Sequence, residues 1–210
     1  MPAETVIDLS KRIKAIADIG LLYTSDDFDK ERYHELKLIG EKLLSRELNT
    51  TPENVKSFFD KCIDYPTPKV DVRVLVLNDE KQILMVQEKN DEKWSLPGGW
   101  ADIGKTPSEV AIGEVLEETG LKITCKCLSG VFDKRMHAHP PQPYYVYKMI
   151  FYGELISPDE NVLKPAFDVL DVSWFDVGGL PSLSTDRILS SQIEVIYKNI
   201  MDQNFTTIFD

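Results

Sequence analysis

The chain has 210 residues, a formal net charge of −11 at pH 7, and 42% hydrophobic and 28% charged residues. These fractions are ordinary for a globular protein, but the acidic balance repels nucleic acid phosphates and anionic membranes, so neither is expected as a partner. No stretch approaches the roughly 18 apolar residues of a membrane span, no signal-peptide run is seen, and the three cysteines lack metal-site spacing, so we expect a cytoplasmic protein.

Residues 1–63 are predicted to form a small all-α N-terminal domain. Leu9, Ile13 and Ile16 recur at helical spacing and predict an amphipathic first helix. A second helical pattern follows, and a third begins near Pro52, a residue that suits the first turn of a helix. The chain is long enough for such a domain beside a larger one.

Residues 64–210 have a different pattern and are predicted to form a second, mixed domain. The stretch DYPTPK contains two prolines and is typical of a linker. The following VDVRVLVLN places valines in alternation, which predicts a strand, and QILMVQEK predicts its hairpin partner. Further strand patterns alternate irregularly with two helical patterns, which favours an α+β fold over a regular βαβ array.

A glutamate-rich helix is predicted over 107–119, with Gly120 as its stop. Glu114, Glu117 and Glu118 then fall within roughly 100° of arc on one face of this helix. Like charges at this spacing destabilise a helix by roughly 0.2–0.5 kcal/mol per pair, so a compensating cation is expected. Clustered carboxylates are the oxygen ligands that Mg²⁺ and Mn²⁺ prefer, and a solvated acidic face is the alternative.

The glutamates belong to a longer pattern that resembles the Nudix box, G-x5-E-x7-R-E-U-x-E-E-x-G-U, where U is a bulky apolar residue. Gly99 stands at the first glycine, and 114–121 follow the second half in register. The resemblance extends over about 65–183, and the helical segment before it resembles the N-terminal extension of a bacterial Nudix subgroup. That subgroup is described as hydrolases of X-linked nucleoside diphosphates and includes CDP-choline pyrophosphatases.

The resemblance implies a Nudix α/β/α sandwich that hydrolyses a nucleoside diphosphate linked to a group X, giving a nucleoside monophosphate and a phosphorylated X. CDP-choline is the favoured substrate, with ADP-ribose or a nucleotide sugar as the alternative. The implied cofactor is Mg²⁺ or Mn²⁺, with four metal ligands: Glu114, Glu117, Glu118 and the carbonyl of Gly98. Glu114 and Glu117 are also counted as catalytic, and a homodimer is expected because relatives often dimerise.

Two positions depart from the Nudix pattern. Lys105 stands where the family has Glu, and Gly113 stands where it has Arg. In the family, the Glu and Arg at these two positions are taken to steady the loop against the helix and to orient the glutamates. Gly113 inside a helix also costs about 1 kcal/mol relative to Ala. An inactive Nudix-fold protein that binds nucleotides as a regulator therefore stays open beside the active hydrolase.

The segment 129–148 combines basic and aromatic residues between two predicted strands. We interpret it as a loop over the active site, and an exposed connection between the strands is the alternative. The candidate substrate-binding residues in it are Lys134, Arg135, His137 and His139.

Three residues outside the box and this loop complete the candidate site. Arg73, on the first predicted strand, is a candidate contact for phosphate or base, with a salt bridge along the strand as the equal alternative. Asp168 and Asp171 lie around the start of a late strand, and either is a candidate general base or further metal ligand. Solvation in a loop is the alternative for both aspartates.

Overall fold

The computed structural model describes residues 5–59, 66–102, 104–156, 163–165, 167 and 169–210. The chain folds into two compact units, one of residues 1–68 with 141–145 and one of residues 69–140 with 146–210. Helices come first and a mixed set of strands and helices follows, so the predicted α+β class is confirmed. The predicted domain boundary at 63/64 lies outside the described residues and stays a prediction.

Three helices form the described part of the first unit: α1 (Val6–Tyr23), α2 (Asp27–Glu47) and α3 (Pro52–Phe59). Helix α1 begins at a capping box, in which the Thr5 side chain accepts from the Asp8 amide while the Asp8 carboxylate accepts from the Thr5 amide. At the start of α2, the Asp26 side chain accepts from the Asp29 amide. No helix within the described ranges is long and apolar enough to cross a membrane.

Helices α1 and α2 pack through small and polar residues. The buried residues of α1 are Ser10, Lys11, Lys14 and Ala17, and those of α2 are Gly40, Glu41, Leu44 and Ser45. A Cβ on Gly40 would lie 3.0 Å from the Ser10 carbonyl oxygen, so glycine permits the close approach of the two backbones. The predicted helical spacing is confirmed, but Leu9 is 44% exposed and Ile16 is 55% exposed. The apolar stripe of α1 therefore faces away from α2.

The second unit contains two sheets and two longer helices. Its elements are β1 (Lys69–Val76), β2 (Ile83–Glu88), β3 (Trp94–Ser95), β4 (Gly98–Trp100), α4 (Pro107–Thr119), β5 (Ile123–Asp133), β6 (Val146–Leu155), β7 (Val169–Phe175), α5 (Ser190–Met201) and β8 (Ile208–Phe209). One sheet has the strand order β4-β1-β6-β5-β8, and the other has the order β3-β2-β7, so the predicted pairing of β1 and β2 as a hairpin is wrong. Strands β1 and β6 run parallel, whereas β4 pairs with β1 in the antiparallel sense.

Strand β1 is central to this unit because its side chains alternate between two apolar clusters. Val72 and Val74 join the cluster that includes Val115 of α4. Leu75 joins the other cluster, which includes Ile193 of α5. Helices therefore cover both sides of the strands, as the sandwich predicted from the resemblance requires.

Candidate active site

The segment from the end of β3 to the first two residues of β4, Ser95–Gly99, enters the site, and we call it the glycine turn. Gly98 has φ +141°, a backbone conformation that residues with a side chain rarely adopt, and a Cβ there would lie 2.1 Å from the Val72 carbonyl oxygen. The Gly98 amide donates to Oε2 of Glu118 over 2.9 Å. Only glycine can bring the backbone this close to β1 while presenting its amide to α4.

Helix α4 has the bounds predicted from the sequence, Pro107–Thr119. The Thr106 side chain accepts from the Glu109 amide, and the Glu109 carboxylate accepts from the Thr106 amide, which completes a capping box. Gly120 ends the helix in the left-handed conformation at φ +76°. Both ends of the helix are therefore defined locally, which sets the register of its glutamates.

The three glutamates of α4 occupy different environments. Glu118 is only 5% exposed, so a solvated acidic face is the wrong interpretation for this residue. Burial raises the pKa of Glu118 to about 8, although the charge of Arg73 and the Gly98 hydrogen bond oppose the shift. Glu114 lies against the glycine turn, since a Cβ on Gly99 would meet its Oε1 at 2.6 Å. Glu117 is exposed.

The donor set suits a hard divalent cation. The carboxylates of Glu114 and Glu118 lie against the two glycines of the turn, and carboxylate and backbone carbonyl oxygens are the ligands that such a cation prefers. Within the described residues, no three His, Cys, Asp or Glu side chains are already gathered into a metal-binding cluster. Glu114 and Glu118 nevertheless suit a divalent cation, because a cation stabilises a buried carboxylate that lies beside a second carboxylate.

A network of buried charges contacts the residues that precede the two glycines. Arg73 donates from Nε to Oδ1 of Asp71 over 3.0 Å, and Lys148 donates to the other oxygen of Asp71. Nη1 of Arg73 lies 3.5 Å from Oε1 of Glu88, which also lies 2.8 Å from Nε of Arg187. The sequence predicts that Arg73 contacts either phosphate or base, or forms a salt bridge along the strand, and the structure shows the salt bridge. Contact with substrate stays a prediction.

Sequence reasoning missed Asp71, Glu88 and Lys148 as part of this network. Lys148 is only 1% exposed and is one of the largest fully buried side chains among the described residues. The available signal was the alternation of Asp71 and Arg73 between valines, which places opposite charges on one face of β1. That pattern was compatible with a solvated face, and only the packing of the other strands shows that it is buried.

The basic residues of 129–148 do not all face solvent. Lys134 is buried and its Nζ donates to Oδ1 of Asp186 over 2.7 Å, while Arg135 pairs with Asp133. His137 lies with Nε2 3.0 Å from Oδ1 of Asp210. Each of these side chains therefore has a protein partner, and their predicted contact with substrate stays a prediction.

His139 differs from the other residues of this segment. Its Nδ1 donates to the Thr185 carbonyl over 2.7 Å, and its Nε2 is buried and has no hydrogen-bond partner among the described residues. Burial lowers the pKa of His139 to about 4, so the ring is neutral at pH 7.

Asp171 is exposed on β7 and accepts from the Val172 amide, whereas Asp168 lies outside the described residues.

Two family models match the chain. The model described as UDP-X-like, N-terminal oligomerisation domain matches residues 4–59, and the NUDIX domain model matches residues 67–193. This chain belongs to the Nudix family. The resemblance seen in the box and in the helical extension is therefore confirmed, as is the prediction of a Nudix pyrophosphohydrolase.

Relatives with related activities match over most of the chain. The putative ADP-ribose pyrophosphatase YjhB of Bacillus subtilis (strain 168) is 35% identical over 204 residues, which are 97% of this chain and 96% of the relative. The ADP-ribose pyrophosphatase of Methanocaldococcus jannaschii is 32% identical over 59% of this chain and 70% of its own length. A solved UDP-X diphosphatase is 30% identical, with a TM-score of 0.62 and 97% of both chains covered.

The structure shows what occupies the two positions that depart from the Nudix box. Lys105 is exposed and its Nζ donates to Oδ2 of Asp102 over 2.9 Å. A Cβ on Gly113 would meet only Oε1 of Glu117 among the described residues, at 3.8 Å, so a Cβ is accommodated at this position. The interaction that the family makes between these two box positions is absent, because neither residue carries the family's side chain.

Gly98→Ala is expected to destabilise the second unit by roughly 1–3 kcal/mol or more and to remove hydrolytic activity. The added Cβ would displace β4 from β1 and move the Gly98 amide away from Glu118. Gly178→Ala is the matched control, because its Cβ would meet nothing within 4 Å and its φ is not left-handed. Urea denaturation and hydrolysis assays compare the two, and equal behaviour would contradict a constrained turn.

The double change Lys105→Glu plus Gly113→Arg is expected to tighten Mg²⁺ binding by restoring the family's interaction between loop and helix. The Gly113→Arg change should also stabilise α4 by roughly 1 kcal/mol, since Arg is a better helix former than Gly. Metal titration of the wild type, both single variants and the double variant measures the coupling. Strictly additive effects would show that the two positions do not interact.

Proposed function

We propose that this Nudix protein hydrolyses the pyrophosphate bond of a nucleoside diphosphate linked to a small group X, with a divalent cation as cofactor. The observation that carries the proposal is the contact of the Gly98–Gly99 turn with Glu118 and Glu114. It places two carboxylates of the box beside a backbone that has no side chains to obstruct a pyrophosphate. Glu117 and the Gly98 carbonyl complete the proposed set of metal ligands.

Different residues are assigned to binding the cation and to acting as the general base. A bound Mg²⁺ or Mn²⁺ supplies charge neutralisation for the pyrophosphate and lowers the pKa of a bound water. Glu114, Glu117 and Glu118 hold that cation, and the Gly98 amide fixes the orientation of Glu118. Asp168 and Asp171 are the candidates for the general base or a further metal ligand, and Glu114 and Glu117 are also counted as catalytic.

ADP-ribose and UDP-linked compounds are the substrates that we propose first. The relative and the solved structure that each cover 97% of this chain are named as a putative ADP-ribose pyrophosphatase and a UDP-X diphosphatase. CDP-choline, favoured by the resemblance of the helical extension, stays a prediction that none of these names addresses. All three share the pyrophosphate between a nucleoside and X, which is the group that the glycine turn and the glutamates would recognise.

A substrate panel tests this function directly. The enzyme is incubated with ADP-ribose, a UDP-sugar and CDP-choline, each with Mg²⁺, with Mn²⁺ and with chelator, and the products are separated by chromatography. Reaction in H₂¹⁸O then shows which phosphorus receives the oxygen. A nucleoside monophosphate formed only with metal supports the proposal. Tight nucleotide binding without turnover would favour the inactive regulator instead.

Glu118→Gln is expected to lower kcat on the best substrate by at least about 100-fold, because it removes a charged ligand of the proposed cation. The fold should survive, since the glutamine amide oxygen can still accept from Gly98. Glu194→Gln, on an exposed position of α5, is the control for the loss of one carboxylate. Near-normal turnover of a folded Glu118→Gln variant would refute the metal assignment.

We also propose that two copies of the chain associate through the exposed stripe of α1, defined as Val6, Leu9, Ile16 and Tyr23. Three of these residues are spaced by seven and so lie along one side of the helix. A stripe of large apolar residues that faces away from its own unit is typical of an interface. The matched model for residues 4–59 is described as an oligomerisation domain, which supports this proposal.

Ile16→Asp is expected to convert the homodimer into a monomer, because a carboxylate at the centre of the stripe would be buried without a partner. Lys42→Gln changes the net charge by the same amount at an exposed position of α2 and should leave the dimer intact. Sedimentation velocity at several concentrations measures the oligomer. A wild type that is monomeric throughout would overturn the proposed interface.

A further inference from the structure

The glycine turn is attached to β1 by a series of contacts that centre on one buried side chain. Nη1 of Arg73 donates to Oγ of Ser95 over 3.0 Å and to the Leu96 carbonyl over 3.1 Å. The Val74 amide donates to the Pro97 carbonyl over 2.9 Å. Arg73 itself pairs with Gly98 in the β1–β4 register. A single residue of β1 thus contacts the turn at its beginning and at its end.

The same guanidinium is anchored on its other side by carboxylates. Asp71 accepts from its Nε, and Glu88 lies beside its Nη1. Lys148 also contacts Asp71 and Arg187 also contacts Glu88, so each of these two carboxylates lies beside two cationic side chains. Buried ion pairs of this kind add little net stability compared with apolar side chains of similar volume. Their main effect is therefore to fix the position of the Arg73 guanidinium.

We propose that Arg73 is a positioning residue for the cation site, acting through the turn and not through substrate. It fixes Ser95 and Leu96 so that the amide of Gly98, two residues after Leu96, meets the buried carboxylate of Glu118. This inference rests on the proposed function for its metal ligands. It goes beyond that function by assigning the support of Glu118 to a strand residue outside the box.

The geometry explains why the residue is arginine. Its planar fork donates in fixed directions to Asp71, Ser95 and Leu96 at the same time, which the single ammonium of lysine cannot reproduce. The support of Glu118 by Arg73 matters more because residue 113 is a glycine. With no arginine on α4 to orient the glutamates, the guanidinium whose charge acts on Glu118 comes from β1.

Arg73→Lys and Arg187→Lys form a matched pair that tests the inference. Both variants keep the charge and both replace a guanidinium beside Glu88, but only Arg73 donates to the turn. We expect Arg73→Lys to weaken Mn²⁺ binding to the substrate-free enzyme by about 10-fold or more, measured by electron paramagnetic resonance. Arg187→Lys should bind Mn²⁺ as the wild type does. Excess metal should restore part of the kcat of Arg73→Lys.

A second measurement reports on the turn without metal. In ¹⁵N-labelled protein, the amide proton of Gly98 should lose the downfield shift of a carboxylate hydrogen bond in Arg73→Lys but retain it in Arg187→Lys. If the wild type binds no Mn²⁺, the proposed metal site fails, while this amide shift still decides the role of Arg73.

Equal weakening in both variants, or no weakening in either, would overturn the inference. If Arg73→Lys does not fold, Ser95→Ala replaces it, because this change removes one partner of Nη1 and leaves the ion pairs in place. Ser95→Ala is expected to weaken Mn²⁺ binding in the same direction. Wild-type Mn²⁺ affinity and an unchanged Gly98 amide shift in Ser95→Ala would again overturn it.

Discussion

The hydrogen bond from the Gly98 amide to the Glu118 carboxylate joins the two parts of the site, because one end belongs to a turn and the other to helix α4. For the amide to point at the helix, Gly98 must adopt φ +141° and lie against the Val72 carbonyl. That position in turn requires β4 to pair with β1 in its observed register. The local chemistry of the box thus depends on pairing with β1, a strand that lies outside the box.

The burial of Glu118 explains why this hydrogen bond matters. A carboxylate removed from water is strongly disfavoured as an anion, and this is reflected in a pKa raised to about 8. The Gly98 amide and the charge of Arg73 both favour the ionised form, and a divalent cation would add to them. A buried acid with such support needs little rearrangement to bind a cation, whereas an exposed acid such as Glu117 must first be ordered.

The helical unit buries charged side chains and exposes apolar ones. Buried Lys14 pairs with Asp18, and Glu41 of α2 is also buried, while the apolar stripe of α1 faces outward. Burial raises the pKa of Glu41, which is consistent with its low exposure. Charged residues are thus buried beside Ala17 and Leu44 while large apolar residues of α1 are exposed, and this exposure is explained if the stripe is covered in an oligomer.

The sequence by itself determined the elements whose signals are local. Helix α4 and its caps follow from residues within its own span, the alternating valines of β1 predict a strand, and the box identifies the Nudix family. The tertiary structure alone decided burial. Nothing within VDVRV distinguishes a solvated face from a buried one, so the ion pairs of Asp71 and Arg73 required the positions of Lys148 and Glu88, which other strands provide. For the same reason the spacing of Leu9 and Ile16 predicted a helix but not the direction it faces, because periodicity states which residues share a side and only packing decides what that side contacts.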